Sequence, residues 1–485
     1  MARLESYHNI ARGLRGVVLS LLLALPAAGY DFEITTESVG QGYQLRRYAP
    51  EGVVVVARRR FTEALTLRIF ELLPPPDPDS GKPTPRLEIV TAMRFGTDFG
   101  AYVDGTDAMG RDAVPELEDD ALDLVFAYVE GRDLGPVAFR VGRQVVADVL
   151  DYYSFDGARV VLQAPAHLAV EATGGSEVKG ASRLGSSTLE LDGTGQSIRS
   201  DQSSALAPTV GGALETWGLR DLHGRVAYRR TWSRARIDDP ATPDLDSDLE
   251  LDGVEEEKVG ASLDGRIGDA AQPYGAARYN LLTGRVDMID GGTRVGLHPD
   301  HAVTAGYAYS VPDFAGDSIF NVYSIRPAQD ASLRGDSRLG LGLRVYERYT
   351  LRRFADDVDA GGAGAVFSHV AGAGARLALR RGEIGTDLFY GDGYGGLYAG
   401  GSVAGRTLLL RERLLLEGRL LGARMANDVR DDLVRRDLLS LGVQAGARYV
   451  LVEGAAVHLL LEENRNDLYP SQLRVLAVLD LGYQP

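Results

Sequence analysis

Side chains that alternate apolar and polar, over stretches too long for ordinary globular strands, constrain this sequence more than any other feature. A strand sends successive side chains to opposite faces, so sorting by parity separates the two surfaces it presents. In 338–352 the odd positions read Leu339, Leu341, Leu343, Val345, Glu347, Tyr349 and Leu351, and the even ones Arg338, Gly340, Gly342, Arg344, Tyr346, Arg348, Thr350 and Arg352. One face is greasy and the other arginine-rich. Segment 436–451 sets Leu439, Leu441, Val443 and Tyr449 against Arg436, Ser440, Gln444 and Arg448, and 365–380 sets Phe367, Ala371, Leu377 and Leu379 against Arg376 and Arg380. The segment 472–483 opposes Leu473, Val475, Leu479, Leu481 and Tyr483 to Arg474 and Asp480, with Leu476 and Val478 out of phase. Weaker alternation runs through 65–72, 87–96, 122–130, 137–148, 223–234, 258–267, 301–311 and 455–464.

A helix is the rival reading only at 408–421, where leucine triplets recur six residues apart. That spacing puts the triplets about 240° apart on a helical wheel and leaves no polar face, so two strands joined near Arg411–Arg413 fit better. A soluble sheet alternates too, but its strands have about 5 or 6 residues. Crossing a bilayer takes about 9 to 11 tilted residues, and a closed barrel satisfies every backbone group. Gly, Ser, Gln and Arg suit a watered lumen, whereas Leu, Val and Ala suit lipid, with Tyr349, Tyr449 and Tyr483 at headgroup level. The expected fold is all-β: a single transmembrane antiparallel β-barrel of about 18 strands, within a range of roughly 16 to 22.

Composition excludes several alternatives. The chain is 45% hydrophobic, which argues against disorder, and has no cysteine for a disulfide scaffold. A formal charge of −16 argues against wrapping nucleic acid. Arg3, Arg12 and Arg15 precede a short apolar run at 17–26 and then Ala27, Ala28 and Gly29, the three parts of a cleaved signal peptide over 1–29; a buried or anchoring helix is the alternative. The barrel would then occupy 30–485. Long acidic or Pro-rich connections at 74–85, 104–120, 174–212 and 238–257 read as external loops, with 174–212 alternatively folded into the lumen.

Phe139-Arg140-Val141-Gly142-Arg143-Gln144, followed by Phe155-Asp156-Gly157-Ala158-Arg159-Val160, is similar to the Gly-Arg-Gln and Phe-Asp-Gly pattern of alginate-export-like barrels and related porins of Gram-negative outer membranes. The close match covers about 20 residues, and the remainder of the chain matches by its pattern of alternation. The resemblance implies a passive conduit and, in alginate-export members, an arginine-rich lumen for an acidic polysaccharide; Arg143 matches the motif arginine and Arg140 lies just ahead of it. Such barrels usually end on an aromatic residue read by the assembly machinery, whereas this chain ends Tyr483-Gln484-Pro485.

Catalytic patterns are missing: there is no Gly-x-Ser-x-Gly, no His-Glu-x-x-His and no phosphate-binding loop. His298-Pro-Asp-His301 reads as a polar turn more readily than a metal site, because Pro299 breaks the helical face that two-histidine motifs use. Asp244, Asp246, Asp248, Glu250, Asp252 and Glu255 carry calcium-loop spacing, but Leu249 replaces the turn glycine, so a solvated acidic loop is the simpler reading. No enzyme activity, cofactor or metal is expected. Candidate pore-lining residues are Arg140, Arg338, Arg344, Arg348, Arg352, Arg376, Arg380, Arg436, Arg448 and Arg474, which would attract anions despite the net charge. The alternative pairs them with lumenal acids such as Asp148, Asp264 and Asp480 in a non-conducting structural or partner-binding surface barrel. The reading is a porin-like channel for diffusion or export of small or polymeric anionic solutes. Its partners would be outer-membrane lipid and lipopolysaccharide, the barrel-assembly machinery and the solute, without nucleic acid; oligomeric state stays open.

Overall fold

The computed structural model describes residues 30–49, 52–73, 84–98, 121–178, 207–217, 219–237, 249–311, 327–354, 366–393, 396–426, 437–466 and 471–484. All 22 elements are strands: β1 (Asp31–Ala49), β2 (Gly52–Phe70), β3 (Arg86–Asp98), β4 (Ala121–Leu134), β5 (Val137–Ala147), β6 (Tyr152–Ala164), β7 (Leu168–Glu177), β8 (Ala207–Thr216), β9 (Leu222–Ile237), β10 (Leu249–Gly265) and β11 (Ala271–Asn280). The second half comprises β12 (Arg285–His298), β13 (His301–Ser310), β14 (Ala328–Arg338), β15 (Leu343–Phe354), β16 (Val366–Leu379), β17 (Gly382–Asp392), β18 (Leu397–Leu409), β19 (Leu414–Ala426), β20 (Asp437–Val452), β21 (Ala455–Arg465) and β22 (Gln472–Tyr483). Each pairs antiparallel with its chain neighbours, and β1 pairs with β22 from Ile34↔Tyr483 to Gly42↔Val475, which closes the barrel.

The strand count is therefore 22, not about 18. The segments sorted by parity leave out β1, β6, β12 and β17 as well as β7 (LAVEATGGSE), β8 (APTVGGALET) and β11 (AQPYGAARYN), and in the last three small residues occupy both faces and erase the contrast. The run 338–352 holds a strand end, a turn and a second strand. Arg338 closes β14, and Gly340, Leu341 and Gly342 turn the chain through positive φ of 78°, 48° and 76°. The four-residue turn preserves parity, so the two strands mimicked one. The leucine segment divides as expected, with the turn at 410–413 between β18 and β19.

Two of the expected loops are shorter than their sequence suggested. Gly174–Glu177 belong to β7 and Ala207–Gly212 to β8, paired through Gly174↔Val210 and Glu177↔Ala207. A ladder needs only backbone, and glycine permits the closest approach here: a Cβ on Gly175 would lie 2.2 Å from the Asp156 carbonyl oxygen. Likewise 249–257 lies in β10, where Glu250↔Arg236 and Asp252↔Arg234 are register partners on β9. Glu250, Asp252 and Glu255 thus belong to a strand, not a calcium loop. Segments 1–29, 74–83, 104–120, 179–206 and 238–248 lie outside the described residues, and with them the signal peptide and the rest of these loops; the connection expected as an external loop at 74–85 joins β2 to β3 at the rim where β1 begins and β22 ends, opposite the other three.

The outer surface carries Leu214, Val226, Leu263, Leu388, Leu420, Leu441, Val443 and Leu461, all exposed. Tyr349, Tyr449 and Tyr483 also face out, with Tyr349 toward the rim of longer connections and the other two toward the opposite rim. Both strand-chain ends and the tight turns, such as Glu453-Gly454 and Arg380-Arg381, lie at that opposite rim, the periplasmic side by the usual asymmetry of such barrels.

Leu420 and Leu421 are neighbours on β19 that face opposite media. Leu420→Arg should cost about 2–4 kcal/mol in reversible unfolding from detergent or lipid, whereas Leu421→Arg, facing the lumen, should leave stability nearly unchanged. Equal losses would show that the outer face is not in hydrocarbon.

Candidate functional site in the barrel lumen

The inward face divides into a filled wall and an open wall. On the filled wall, the hairpin of β5 and β6 departs from the barrel. β4 pairs with β5 only from Ala127↔Arg143 to Leu134↔Val137, while the β4 residues from Ala121 to Phe126 continue against β3 alone. At the point of departure Gly142 has φ 127°, and a Cβ there would lie 2.2 Å from the Ala127 carbonyl oxygen, so only glycine fits. The two halves of the sequence motif meet in this bend: Gly142↔Gly157, Arg143↔Asp156 and Gln144↔Phe155 are register partners. Gln144 and Phe155 are fully buried on the inward side. Arg143 points outward, holds Asp156 through two contacts of 2.8 Å and donates at 3.2 Å to the Leu124 carbonyl of β4, a group the departing strand leaves without a ladder partner.

The hairpin tip, 148–151, crosses to β8–β11. Leu150 packs on Ala213 and Ala227, and its carbonyl accepts from Arg278 at 2.6 Å. Asp148 pairs with Arg225 at 3.3 Å. Asp151 pairs with Arg229 and, at 3.1 Å, with Lys258; Glu256 pairs with Arg229 and, at 2.9 Å, with Lys258. The Arg229 guanidinium also lies over Tyr153, 4.0 Å from its ring centroid, and Tyr153 stacks on Phe155 at 5.1 Å. Arg225 reaches Glu171 at 2.9 Å and Glu215 at 2.8 Å. Nearer the periplasmic rim, Arg68, Glu88, Glu130, Arg132 and Arg140 form a second chain of ion pairs. Arg229 and Lys258 are buried almost completely. Buried charges persist only when paired, and this wall meets that requirement from within.

The open wall runs from β14 through β22. Arg344, Arg348, Arg352, Arg376, Arg448 and Arg474 face the lumen in one continuous register, joined by Arg338 from the end of β14. Several are paired: Arg352 with Asp330 at 2.7 Å, Arg376 with Glu383 at 3.5 Å and Asp387 at 3.7 Å, Arg448 with Asp480 at 3.9 Å and Arg474 with Glu462 at 3.8 Å. Their side chains nonetheless remain about half exposed to the lumen, 44–52%. Arg338, Arg344 and Arg348 have no carboxylate within ion-pair distance among the described residues. A cavity of about 400 Å³ lies on this wall between Arg376, Glu383, Asp387, Arg406, Glu417 and Arg419.

Of the sequence candidates, Arg140 belongs to the filled wall, where it pairs with Glu130 at 2.9 Å and lies over Tyr128. Arg380 is not on a strand face: it sits in the two-residue turn between β16 and β17, because β16 ends at Leu379. Arg436 falls outside the described residues. Sequence reasoning missed Arg406 and Arg419, which parity sorting of 397–409 and 414–426 would have placed on one face. It also missed the filled wall, whose partners come from strands far apart in sequence. His298 and His301 flank the Pro299-Asp300 turn with rings 5.7 Å apart, and no group of three metal-ligating side chains occurs among the described residues.

Glu256 compensates two nearly buried cations at once. Glu256→Gln should lower unfolding stability in detergent by about 3–5 kcal/mol, whereas Asp480→Asn on the open wall should cost at most about 1 kcal/mol. Comparable losses would mean that the filled wall is as wet as the open one.

No protein-family model and no curated protein matches this chain. Among solved structures it is similar to OccAB2 of Acinetobacter baumannii, with 11% identity, 94% of this chain and 98% of that one covered, and a TM-score of 0.45. It is also similar to OpdK of Pseudomonas aeruginosa, determined with vanillate, at 11% identity, coverage of 94% and 99%, and TM-score 0.40. A BenF-like porin from Pseudomonas fluorescens Pf-5 gives 10%, 94%, 99% and 0.41. Independently of these likenesses, a closed antiparallel barrel with apolar side chains around its outside and charges inside is built to span a Gram-negative outer membrane.

Proposed function

We propose that the protein is a porin-like channel through which small anionic solutes diffuse along the open, arginine-faced wall of the lumen. The observation that carries this reading is the contrast between the walls: one neutralises its charges in a packed network around the inward hairpin, and the other leaves guanidinium groups in water. Arginine stays protonated at any working pH and presents a planar fork that matches carboxylate and other oxyanions. Lined along a low-dielectric wall, such groups raise the local concentration of anions whatever the charge of the whole molecule. Passage needs no covalent step and no cofactor. Lipopolysaccharide and the barrel-assembly machinery are the partners proposed for the outer surface and for insertion, and longer acidic chains are a further proposed cargo.

The carboxylates beside Arg352, Arg376, Arg448 and Arg474 favour a second reading, a braced barrel that conducts nothing. Planar-bilayer recording separates the two. Purified protein should give single-channel currents whose reversal potential in a KCl gradient shows chloride preference, and Arg348→Gln with Arg419→Gln should weaken that preference. Selectivity should also fall as salt rises through about 0.1 M, where the Debye length drops to about 10 Å. Potassium preference would remove the anion pathway, and no current at all would favour the braced barrel.

A further inference from the structure

Resting on the channel reading, we infer that the periplasmic end of the open wall holds a subsite for a divalent oxyanion, framed by Arg338, Arg344 and Arg348. The register places Arg338, Arg344 and Arg376 side by side across β14, β15 and β16, and sets Arg334 opposite Arg348 two inward rows further on, beyond the row that carries Asp336, Tyr346 and Asp387. Cross-strand partners have Cα atoms about 4.5–5.5 Å apart, and like charges placed directly opposite are destabilising. A barrel that only needed rigidity would set an acid directly opposite Arg344, as Asp330 stands opposite Arg352.

These five arginines face three carboxylates. Asp336 holds Arg334 at 2.8 Å, and Glu383 and Asp387 flank Arg376 at 3.5 and 3.7 Å. Asp387 is further occupied by the Tyr346 hydroxyl, which donates to it at 2.5 Å. Glu383 is shared with Arg406, 3.8 Å away. The balance leaves two positive charges, and three of the five arginines, Arg338, Arg344 and Arg348, have no carboxylate partner among the described residues. Their positions also fit the task. Arg338 ends β14 and Arg344 is the second residue of β15, so both flank the turn at the periplasmic rim. Arg348 lies two inward rows further along the same strand, on the lumen side of Gly372, where a Cβ would meet its Nε at 2.9 Å. The strand opposite thus offers no side chain at that point, and the guanidinium lies along bare backbone.

Two neighbouring guanidinium forks, carrying twice the charge of a monocarboxylate, match a dianion such as sulfate or hydrogen phosphate: each fork donates to a separate pair of oxygens, and the charges cancel. A monovalent anion would engage one fork and leave the repulsion of the other. The subsite therefore distinguishes anions by valence at the end of the path where they leave the open wall.

The test uses the full-length protein in planar bilayers carrying an acetate current, with sulfate added on the periplasmic side. Wild type should show concentration-dependent slowing by sulfate well beyond that from equal ionic strength of acetate. The variant R338Q/R344Q should weaken the apparent sulfate affinity about tenfold or more, since charge-assisted hydrogen bonds contribute about 1.5–3 kcal/mol each. R338K/R344K should keep most of the slowing, and R474Q, which removes a carboxylate-paired lumenal arginine, should keep it too. Heat-modifiable gel mobility shows that each variant has folded. Sulfate acting no differently from acetate in wild type, or equally on R338Q/R344Q, would overturn the subsite and leave the anion channel intact. A wild type without current, or with cation preference, would remove the channel reading and the subsite with it.

Discussion

Peptide groups have no water partners inside a membrane, and this single requirement organises the molecule. An unpaired N–H or C=O in hydrocarbon costs several kcal/mol, so every strand must find two neighbours and the first must meet the last. The pairing of β1 with β22 satisfies it globally. The departure of β5 from β4 violates it locally, and there the chain supplies a substitute: the Arg143 guanidinium donates to the Leu124 carbonyl while Asp156 neutralises it. The Gly-Arg-Gln and Phe-Asp-Gly segments thus have a mechanical meaning here. Their glycines let two strands bend, and their Arg and Asp repair the outer surface at the bend.

Bending the hairpin inward creates an electrostatic problem and solves it. Strands β9 to β11 carry Arg225, Arg229, Lys258 and Arg278 toward the interior, more cations than a covered wall tolerates alone. The hairpin tip brings Asp148 and Asp151, which do not belong to that wall at all, together with Leu150 to exclude water between them. Opposite charges and an apolar residue arrive on one short segment, so packing and neutralisation are coupled. Among the described residues the open wall has no inserted segment, and Arg352, Arg376, Arg448 and Arg474 keep about half their surface exposed.

Parity was enough to read the architecture because a strand's period of two survives interruptions of even length. The four-residue turn at 339–342 left Arg338 and Arg344 on one face although they belong to different strands, and the lumenal placement of Arg344, Arg348, Arg352, Arg376, Arg448 and Arg474 follows from alternation alone. Where both faces carry small residues, as in β7, β8 and β11, alternation has nothing to display, and strand counting fell short. Acidic or glycine-rich strand ends looked like loops because composition reports solvation, whereas pairing depends on what stands opposite. The inward hairpin was not legible: its signature is the absence of a ladder between β4 and β5, together with contacts from 148–151 to strands remote in sequence. Arg143 shows the limit most clearly, since the sequence matched it to a motif without giving it a face, and its place on the outer side follows only from the bend.

The chain as a whole is acidic, at −16, yet the charges that matter to a solute inside are those within a Debye length of its path. Much of the acidity lies on segments beyond the strands and on carboxylates already committed to ion pairs. A guanidinium in the lumen acts across a few ångströms of confined water between low-dielectric walls, where screening is weaker than in bulk. Carboxylates beside the arginines do not abolish this effect; they shape it, by leaving positive potential where Arg338, Arg344 and Arg348 have no carboxylate partner among the described residues and reducing it where Asp330, Asp480 and Glu462 supply one. Net charge follows composition, but the direction in which an ion is drawn follows the register that sets which side chains stand together.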